Sequence, residues 1–507
     1  MSHPTKASKL LKERGDWAFL LLCIAGAALR FYNLGVESIW WDEGFSIWVA
    51  RMGFLRMLKT VAAIDFNPPL YYALLWAWIH LFGDSEAAAR SISALFGVLS
   101  IAALYFLGRR MFDKKTGLLA ALFLSISAFQ IYYAQEARAF TLELFLAILS
   151  FRYFIDLLES RSTISSVGYI ASSSLLLYAH AFGLLMIAIQ WLYLISISFF
   201  RKSSSNSELR SWVLTSWTVH QIILATLSSP WLYLLAKKIV FLKANIERAG
   251  VWSIAKPSIV EPIKTIGLFA GSGYVLLLFV AISVAVAWKY CGFDPERRVN
   301  CDWLPNIPKS ENFKLLLLIE WLLVPIFLTF ALSLLAPSVY KPKYLIGSSP
   351  ALYLLAARVI AEVKNRKMSA SIALIAVALA LPGIWSHYGS FHKEPWRRVA
   401  GDIEANASAG DLVLFYPGNS QKLTFDYYAK RKDLIKVPFP KKGSFVGERD
   451  VPELVALADD HRRIWVVEYH PDEKKIIKKT LEKSFRLAGE GDYPYIKVYL
   501  FEKSPSQ

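Results

Sequence analysis

Cysteine is nearly missing, with three in 507 residues, and this excludes a disulfide framework. Cys23 lies inside an apolar run, and Cys291 and Cys301 share a loop without CxxC or zinc-ligand spacing. Charge is thin as well: 19% of the residues are charged and 55% are hydrophobic. A soluble chain of this length keeps more charge and divides into several domains. The first apolar run, 17–34, lacks the small-residue site of a cleaved leader, so none is expected.

What is present is a series of apolar runs of roughly the 17–25 residues that cross a bilayer core. They lie at about 17–34, 69–83, 91–108, 117–133, 140–157, 165–180, 182–200, 213–236, 263–289, 314–336, 344–363 and 368–386. The class is a polytopic membrane protein. The net charge of +17, from 57 basic and 40 acidic residues, then belongs to loops and lipid headgroups, and no nucleic-acid partner is expected.

One run is too short. The segment 69–83 opens on Pro68-Pro69, and about 15 residues at ~1.5 Å each reach only ~22 Å of a ~30 Å core. It is expected to lie in the outer interface. Loop charge agrees. With Lys6, Lys9, Lys12 and Arg14 placing the N-terminus in the cytoplasm, an interfacial 69–83 puts four basic loops inside. These loops carry Arg109-Arg110 and Lys114-Lys115, Arg201-Lys202, Arg297-Arg298, and Lys364 with Arg366-Lys367. The expectation is eleven spans in the cell membrane, with the C-terminal segment outside. The outward loop 237–262 carries Lys237, Lys238, Lys243, Arg248 and Lys256 against the rule. It is either a long loop that escapes it or a basic cover for a lipid-linked phosphate.

Two domains follow: 1–386 in the membrane, and an extracytoplasmic 387–507 that reads as a small α/β domain. In the latter, 411–416, 463–469 and 495–501 read as strands, and 422–430 and 472–484 as helices. It shows no Gly-rich phosphate loop or metal cluster. The fold class is mainly α, with interfacial helices in the first outer loop.

That loop carries the most chemistry. Trp40-Trp41-Asp42-Glu43 places two acids beside the hydrocarbon boundary, where unpaired carboxylates are costly. Partial burial would raise the Asp42 pKa from about 3.9 and suit a general base. The alternative is a solvated pair at the start of an amphipathic helix. Further on, Asn67-Pro68-Pro69-Leu70-Tyr71-Tyr72 fixes the entry to the interfacial helix, with Asn67 at its N-cap. The topology brings three more polar groups to the same face. Glu136 and Arg138 lie in one turn, where they either close it as an ion pair or serve the site. His180 lies in the next. Lys341 and Lys343 precede Tyr344, and they either snorkel or grip a phosphate.

The ordered set Trp-Asp-Glu, Asn-Pro-Pro-Leu-Tyr-Tyr, Leu81-Phe82-Gly83 with Ala89-Arg90, Tyr-Ala-Gln-Glu-Ala-Arg, Tyr-Ala-His-Ala-Phe-Gly and Lys-Tyr resembles the GT-C glycosyltransferases over 1–386. It is most similar to glycosyltransferase family 39, the dolichyl-phosphate-mannose protein mannosyltransferase-like proteins of prokaryotes. It is more distantly similar to the lipid A aminoarabinose transferases. The resemblance implies a hexosyl- or pentosyltransferase with a polyprenyl-phosphate sugar donor and an acceptor that is protein, lipid or glycan. It implies that Asp42 is the base and Glu43 its acidic neighbour. Glu136, Arg138, His180, Lys341, Lys343, Tyr344, Asn67 and Tyr71 would then bind substrate or donor phosphate. Asn67 stands where relatives carry His or an acid. Asn is a poor metal ligand, and a phosphate held by cations needs no metal in principle, so no cofactor is assigned. The rival reading is a transporter or flippase. It calls for midplane charges and paired repeats, and neither is found.

Overall fold

The computed structural model describes residues 6–200, 211–245, 254–291, 311–441, 446–469 and 475–504. Cys301, the basic pairs at 201–202 and 297–298, Arg248, and the start of the helix expected at 472–484 lie outside these residues. The side chains of Lys243 and Cys291 also lie outside the description.

The membrane part is a bundle of helices. Among the described residues, five helices can by length and composition cross a membrane, or up to seven if each of two bent pairs is one span. The shorter apolar helices Trp17–Phe31, Leu70–Phe82, Thr163–Ala179 and Gly183–Phe199 join them. The protein is therefore multi-pass. The chain begins with α1 (Lys6–Phe31), then α2 (Trp41–Ala50), α3 (Phe54–Ile64) and α4 (Leu70–Phe82) of the first loop, then α5 (Glu86–Met111). The α4 helix has 13 residues, about 20 Å, too short to span unaided.

Two expected spans are broken. The run 117–133 is α6 (Lys114–Ile126) and α7 (Ala128–Ala134), bent by 64°. After α8 (Phe140–Ser160), α9 (Thr163–Ala179), α10 (Gly183–Phe200) and α11 (Thr218–Asn245), the run 263–289 is α12 (Glu261–Phe269) and α13 (Gly273–Cys291), bent by 92°. The breaks support each other. Gly271 has φ +85°, and a Cβ there would lie 3.0 Å from Ser127 Cα, so glycine is required for conformation and for space. Ser127 Oγ donates to Phe269 O at 3.0 Å. Arg30, fully buried in α1, donates to Leu124 O (3.0 Å) and Ser125 O (3.3 Å), supplying a cation to the carbonyls that end α6. Such breaks turn backbone polar groups toward protein rather than lipid. They also aim α7 so that the next turn, 135–139, reaches the first loop.

The bundle continues through α14 (Glu311–Leu335), a 3₁₀ turn Pro342–Ser348 leading into α15 (Ser349–Ala361), and α16 (Arg366–Gly389). Two basic residues of the segment 237–262 have a structural use. Lys238 donates to the carbonyls of Val61 (3.2 Å) and Asp65 at the end of α3, and Lys256 to Leu334 O (3.1 Å) at the end of α14.

The C-terminal part comprises α17 (Trp396–Asn406), β1 (Leu412–Tyr416), α18 (Asn419–Tyr428), β2 (Ile435–Pro438), α19 (Val451–Asp459), β3 (Arg463–Glu468), α20 (Ile476–Leu481), β4 (Phe485–Tyr493) and β5 (Ile496–Lys503). The sheet order is β2-β1-β3-β5-β4, with β1 parallel to β2 and β3, and β5 antiparallel to its neighbours. The strands β2 and β4 were not expected. The first has only four residues, and the second alternates apolar with Gly, Glu and Asp. The domain clamps the first loop. Its helix α18 packs on α2, where a Cβ on Gly44 would meet Thr424 Oγ1 at 2.8 Å. Tyr428 Oη accepts from the Ile39 N–H (2.7 Å) and donates to Glu86 Oε1 (3.0 Å), to which Arg397 also donates (2.6 Å).

Candidate active site

Asp42 and Glu43 occupy the first turn of α2, where acids suit the positive end of a helix. Neighbours on a helix diverge by about 100°, and here they do different things. Glu43 is fully buried and points inward. Arg90, from α5 and also buried, grips it with Nε to Oε1 (2.8 Å) and Nη2 to Oε2 (2.7 Å). The Ala137 N–H donates to Oε1 at 2.8 Å, and the Lys393 ammonium lies 3.4 Å from Oε2. Burial pushes the Glu43 carboxyl up, but the charges of Arg90 and Lys393 and these hydrogen bonds outweigh it and bring the pKa to about 2. Arg90 also donates to the carbonyls of Leu34 and Glu37 (Nη1, 2.9 and 2.8 Å) and Ser38 (Nη2, 2.8 Å). One guanidinium therefore ties α2 to the chain that enters it. Glu43 is thus buried and fully engaged by Arg90, the Ala137 N–H and Lys393.

Asp42 points the other way. Its Oδ2 lies 3.2 Å from Lys343 Nζ, and both side chains keep some exposure (13% and 15%). Sequence reasoning expected burial to raise the Asp42 pKa. Burial does push upward, but Arg138 and Lys343, with help from Lys341, hold the carboxyl below the usual range. The cations that decide the sign come from segments about 100 and 300 residues away, so the local sequence could not show it.

Arg138 sits in the turn that α7 delivers. Its Nη1 donates to Tyr72 Oη (3.2 Å) and reaches Ser46 Oγ and the Asp42 carbonyl at 3.4 Å. Glu136 and Arg138 do not pair with each other. Glu136 is buried with Oε2 unpartnered, and burial, only partly offset by Lys393 and Lys343, lifts its pKa to about 7. Asn67 is not the N-cap of α4, a place taken by Pro69. A proline pair starts the helix without a side-chain cap, and Asn67 instead bonds Asp65 Oδ1 through its backbone N–H (2.9 Å) and Nδ2 (3.0 Å). Tyr72 donates to the other Asp65 oxygen. Tyr71 hydroxyl and Ser93 Oγ lie 2.8 Å apart.

His180 ends α9 and is buried. Its Nδ1 accepts the Phe182 N–H at 3.4 Å, and burial, then Arg138 and Lys343, lower its pKa to about 3, so the imidazole is neutral. Glu143 Oε2 lies 3.1 Å from the same nitrogen without the alignment of a hydrogen bond. Asn67, Pro68, Tyr71, Tyr72, Arg138, Ala139, Phe140 and His180 line one small cleft, linked to Asp42 through the Arg138 bond to its carbonyl. Tyr344 packs against His180 (ring centroids 5.7 Å apart) and Phe182 (5.4 Å). Lys341, Lys343 and Tyr344 are held here because Tyr340 Oη meets Thr265 Oγ1 (2.7 Å) and Trp321 Nε1 donates to Gly347 O (2.8 Å).

Sequence reasoning missed Arg90 as the clamp, Glu143 and the 392–394 segment. Lys393 is buried, donates to Gln135 O (2.8 Å), and stands between Glu43 and Glu136. Glu394 is buried, bonded by Tyr469, and raised by burial to about 7. The signals were a lone Glu in an apolar run and the polar group His392-Lys393-Glu394 directly after the last one. Among the described residues no three His, Cys, Asp or Glu side chains gather as a metal site needs.

Residues 67–233 match the family model described as dolichyl-phosphate-mannose-protein mannosyltransferase. The bundle with its C-terminal α/β part matches ArnT from Cupriavidus metallidurans in the apo state. The TM-score is 0.65 at 14% identity, over 96% of this chain and 99% of that one. The chain has the GT-C glycosyltransferase fold. ArnT bound to undecaprenyl phosphate gives 0.62 at 15% identity, over 96% and 99%. The archaeal oligosaccharyltransferase AglB from Archaeoglobus fulgidus, in complex with an inhibitory peptide and a dolichol-phosphate, gives 0.57 at 12%, over 97% and 74%. An uncharacterized protein of Aquifex aeolicus is 35% identical over 120 residues, which is 22% of this chain and 23% of that relative.

Proposed function

We propose that this GT-C protein is an inverting glycosyltransferase that moves a sugar from a polyprenyl-phosphate donor to an acceptor at the outer face of the cell membrane. The observation that carries the reading is the Asp42 carboxylate ion-paired to Lys343, with Arg138, which lines the cleft, bonded to the Asp42 backbone carbonyl and adding its charge. One acid among cations is what a displacement with an anionic leaving group needs. The acceptor oxygen attacks the anomeric carbon, and its proton passes to Asp42. The C–O bond to the phosphate breaks, and its electron pair leaves with the lipid phosphate, whose charge Lys343 and Lys341 stabilise. A single displacement inverts the anomeric centre. The ArnT complex with undecaprenyl phosphate and the AglB complex with dolichol-phosphate support a lipid phosphate as the ligand class.

Glu136, Arg138, His180, Tyr71, Tyr344 and Asn67 shape the substrate cleft in this reading. Glu43 positions α2 rather than reacting. Membranes containing the protein, incubated with radiolabelled polyprenyl-phosphate mannose or aminoarabinose and a mixed acceptor extract, should release lipid phosphate and label an acceptor. Absence of turnover with every polyprenyl-phosphate sugar tried would count against the donor class.

A further inference from the structure

The base of the proposed reaction is not bare. Asp42 receives its side-chain hydrogen bond from Lys343 on Oδ2 (3.2 Å), and a carboxylate held by an ammonium is a weaker base than the same carboxylate released from it. Arg138 differs, because its bonds go to Tyr72, Ser46 and the Asp42 carbonyl, on buried parts of α2 and α4. It is fixed where it stands. Lys343 is a point charge on a flexible stem. Its head lies over Trp40 (5.0 Å), Phe140 (5.4 Å) and Tyr344 (5.7 Å), three rings that stabilise a cation without directing it to one oxygen. Phe140 also lines the cleft. The ammonium can therefore exchange one anionic partner for another within the same cage.

We infer that Lys343 is a two-position switch: it holds Asp42 until a lipid phosphate arrives, then transfers to that phosphate and frees Asp42 to act as base. The inference rests on the lipid-phosphate reading above. It makes donor and acceptor binding ordered, because an acceptor that enters first meets a base still occupied by Lys343. It also makes Asp42 and the phosphate competitors for one cation.

Binding of undecaprenyl phosphate to the full-length protein in detergent, read by microscale thermophoresis, tests this with four proteins. Lys343→Met should weaken binding by at least about tenfold, within the range of coupled sites. Asp42→Asn removes the competitor and should tighten binding by roughly tenfold. The double variant should bind like Lys343→Met alone, because the gain acts through Lys343. An Asp42→Asn protein that binds no tighter than wild type would overturn the switch. So would a gain that persists in the Lys343→Met background, since plain relief of charge repulsion needs no lysine. Failure of the wild type to bind either undecaprenyl phosphate or dolichyl phosphate would instead remove the donor reading and the switch with it.

Discussion

Replacing Arg90 by Met isolates the clamp that places Asp42. The guanidinium is almost fully buried and bonds both oxygens of Glu43 and the carbonyls of Leu34, Glu37 and Ser38. Removing one partner of a buried pair costs about 3–5 kcal/mol, because the other charge stays behind. Lys393 remains beside Glu43 at 3.4 Å and offsets part of this, so about 3 kcal/mol is expected, a shift of roughly 10²-fold between the ordered and disordered loop. Turnover should fall by about that factor, and Arg90→Lys should fall in between because an ammonium cannot repeat the two-pronged grip. The same cluster has an acid signature. The Glu43 pKa is lowered from 4.5 to about 2 in the fold. Its stabilisation is therefore complete above pH 4.5 and is lost as pH falls toward 2. Glu43→Gln should remove that part of the pH dependence of thermal unfolding. Full turnover and an unshifted melting curve in Arg90→Met would refute the assignment of Glu43 and Arg90 as the pair that positions Asp42.

Other outcomes are expected. Glu136, raised to about 7, changes charge near neutral pH, so Glu136→Gln should alter the limb of the pH–rate profile near 7, and a profile identical to wild type would show that Glu136 does not set it. Gly44→Val should push α18 off α2 through Thr424, lowering turnover at least about tenfold through a displaced first loop; unchanged kinetics would show that the C-terminal domain does not hold Asp42 in place. A cysteine at position 113 should react with an impermeant maleimide only from the cytoplasmic side, and labelling from outside alone would overturn the proposed orientation.

Much of the fold was legible because apolar runs report membrane helices directly. The breaks at Ser127 and 270–272 were not, since continuous hydrophobicity hides a bend whose cause is a carbonyl accepting from another helix. The Trp-Asp-Glu segment singled out Asp42, and of the residues expected beside it Arg138 and Lys343 contact it. Their roles were less visible. Glu43 and Asp42 are adjacent in sequence and opposite in environment, and only Arg90 and Lys343, distant in the chain, separate them. Lys393 was hidden by its place just beyond the last apolar run, where a basic group reads as a linker.

The most direct measurement compares wild type with Asp42→Asn in transfer of sugar from a polyprenyl-phosphate donor by the purified, folded protein, with the anomeric configuration of the product determined. The account predicts an inverted product, and in the variant a loss of about 10²–10⁴-fold, the usual contribution of a general base. Full turnover by Asp42→Asn would contradict the assignment of the base, and a product of retained configuration would contradict the single displacement.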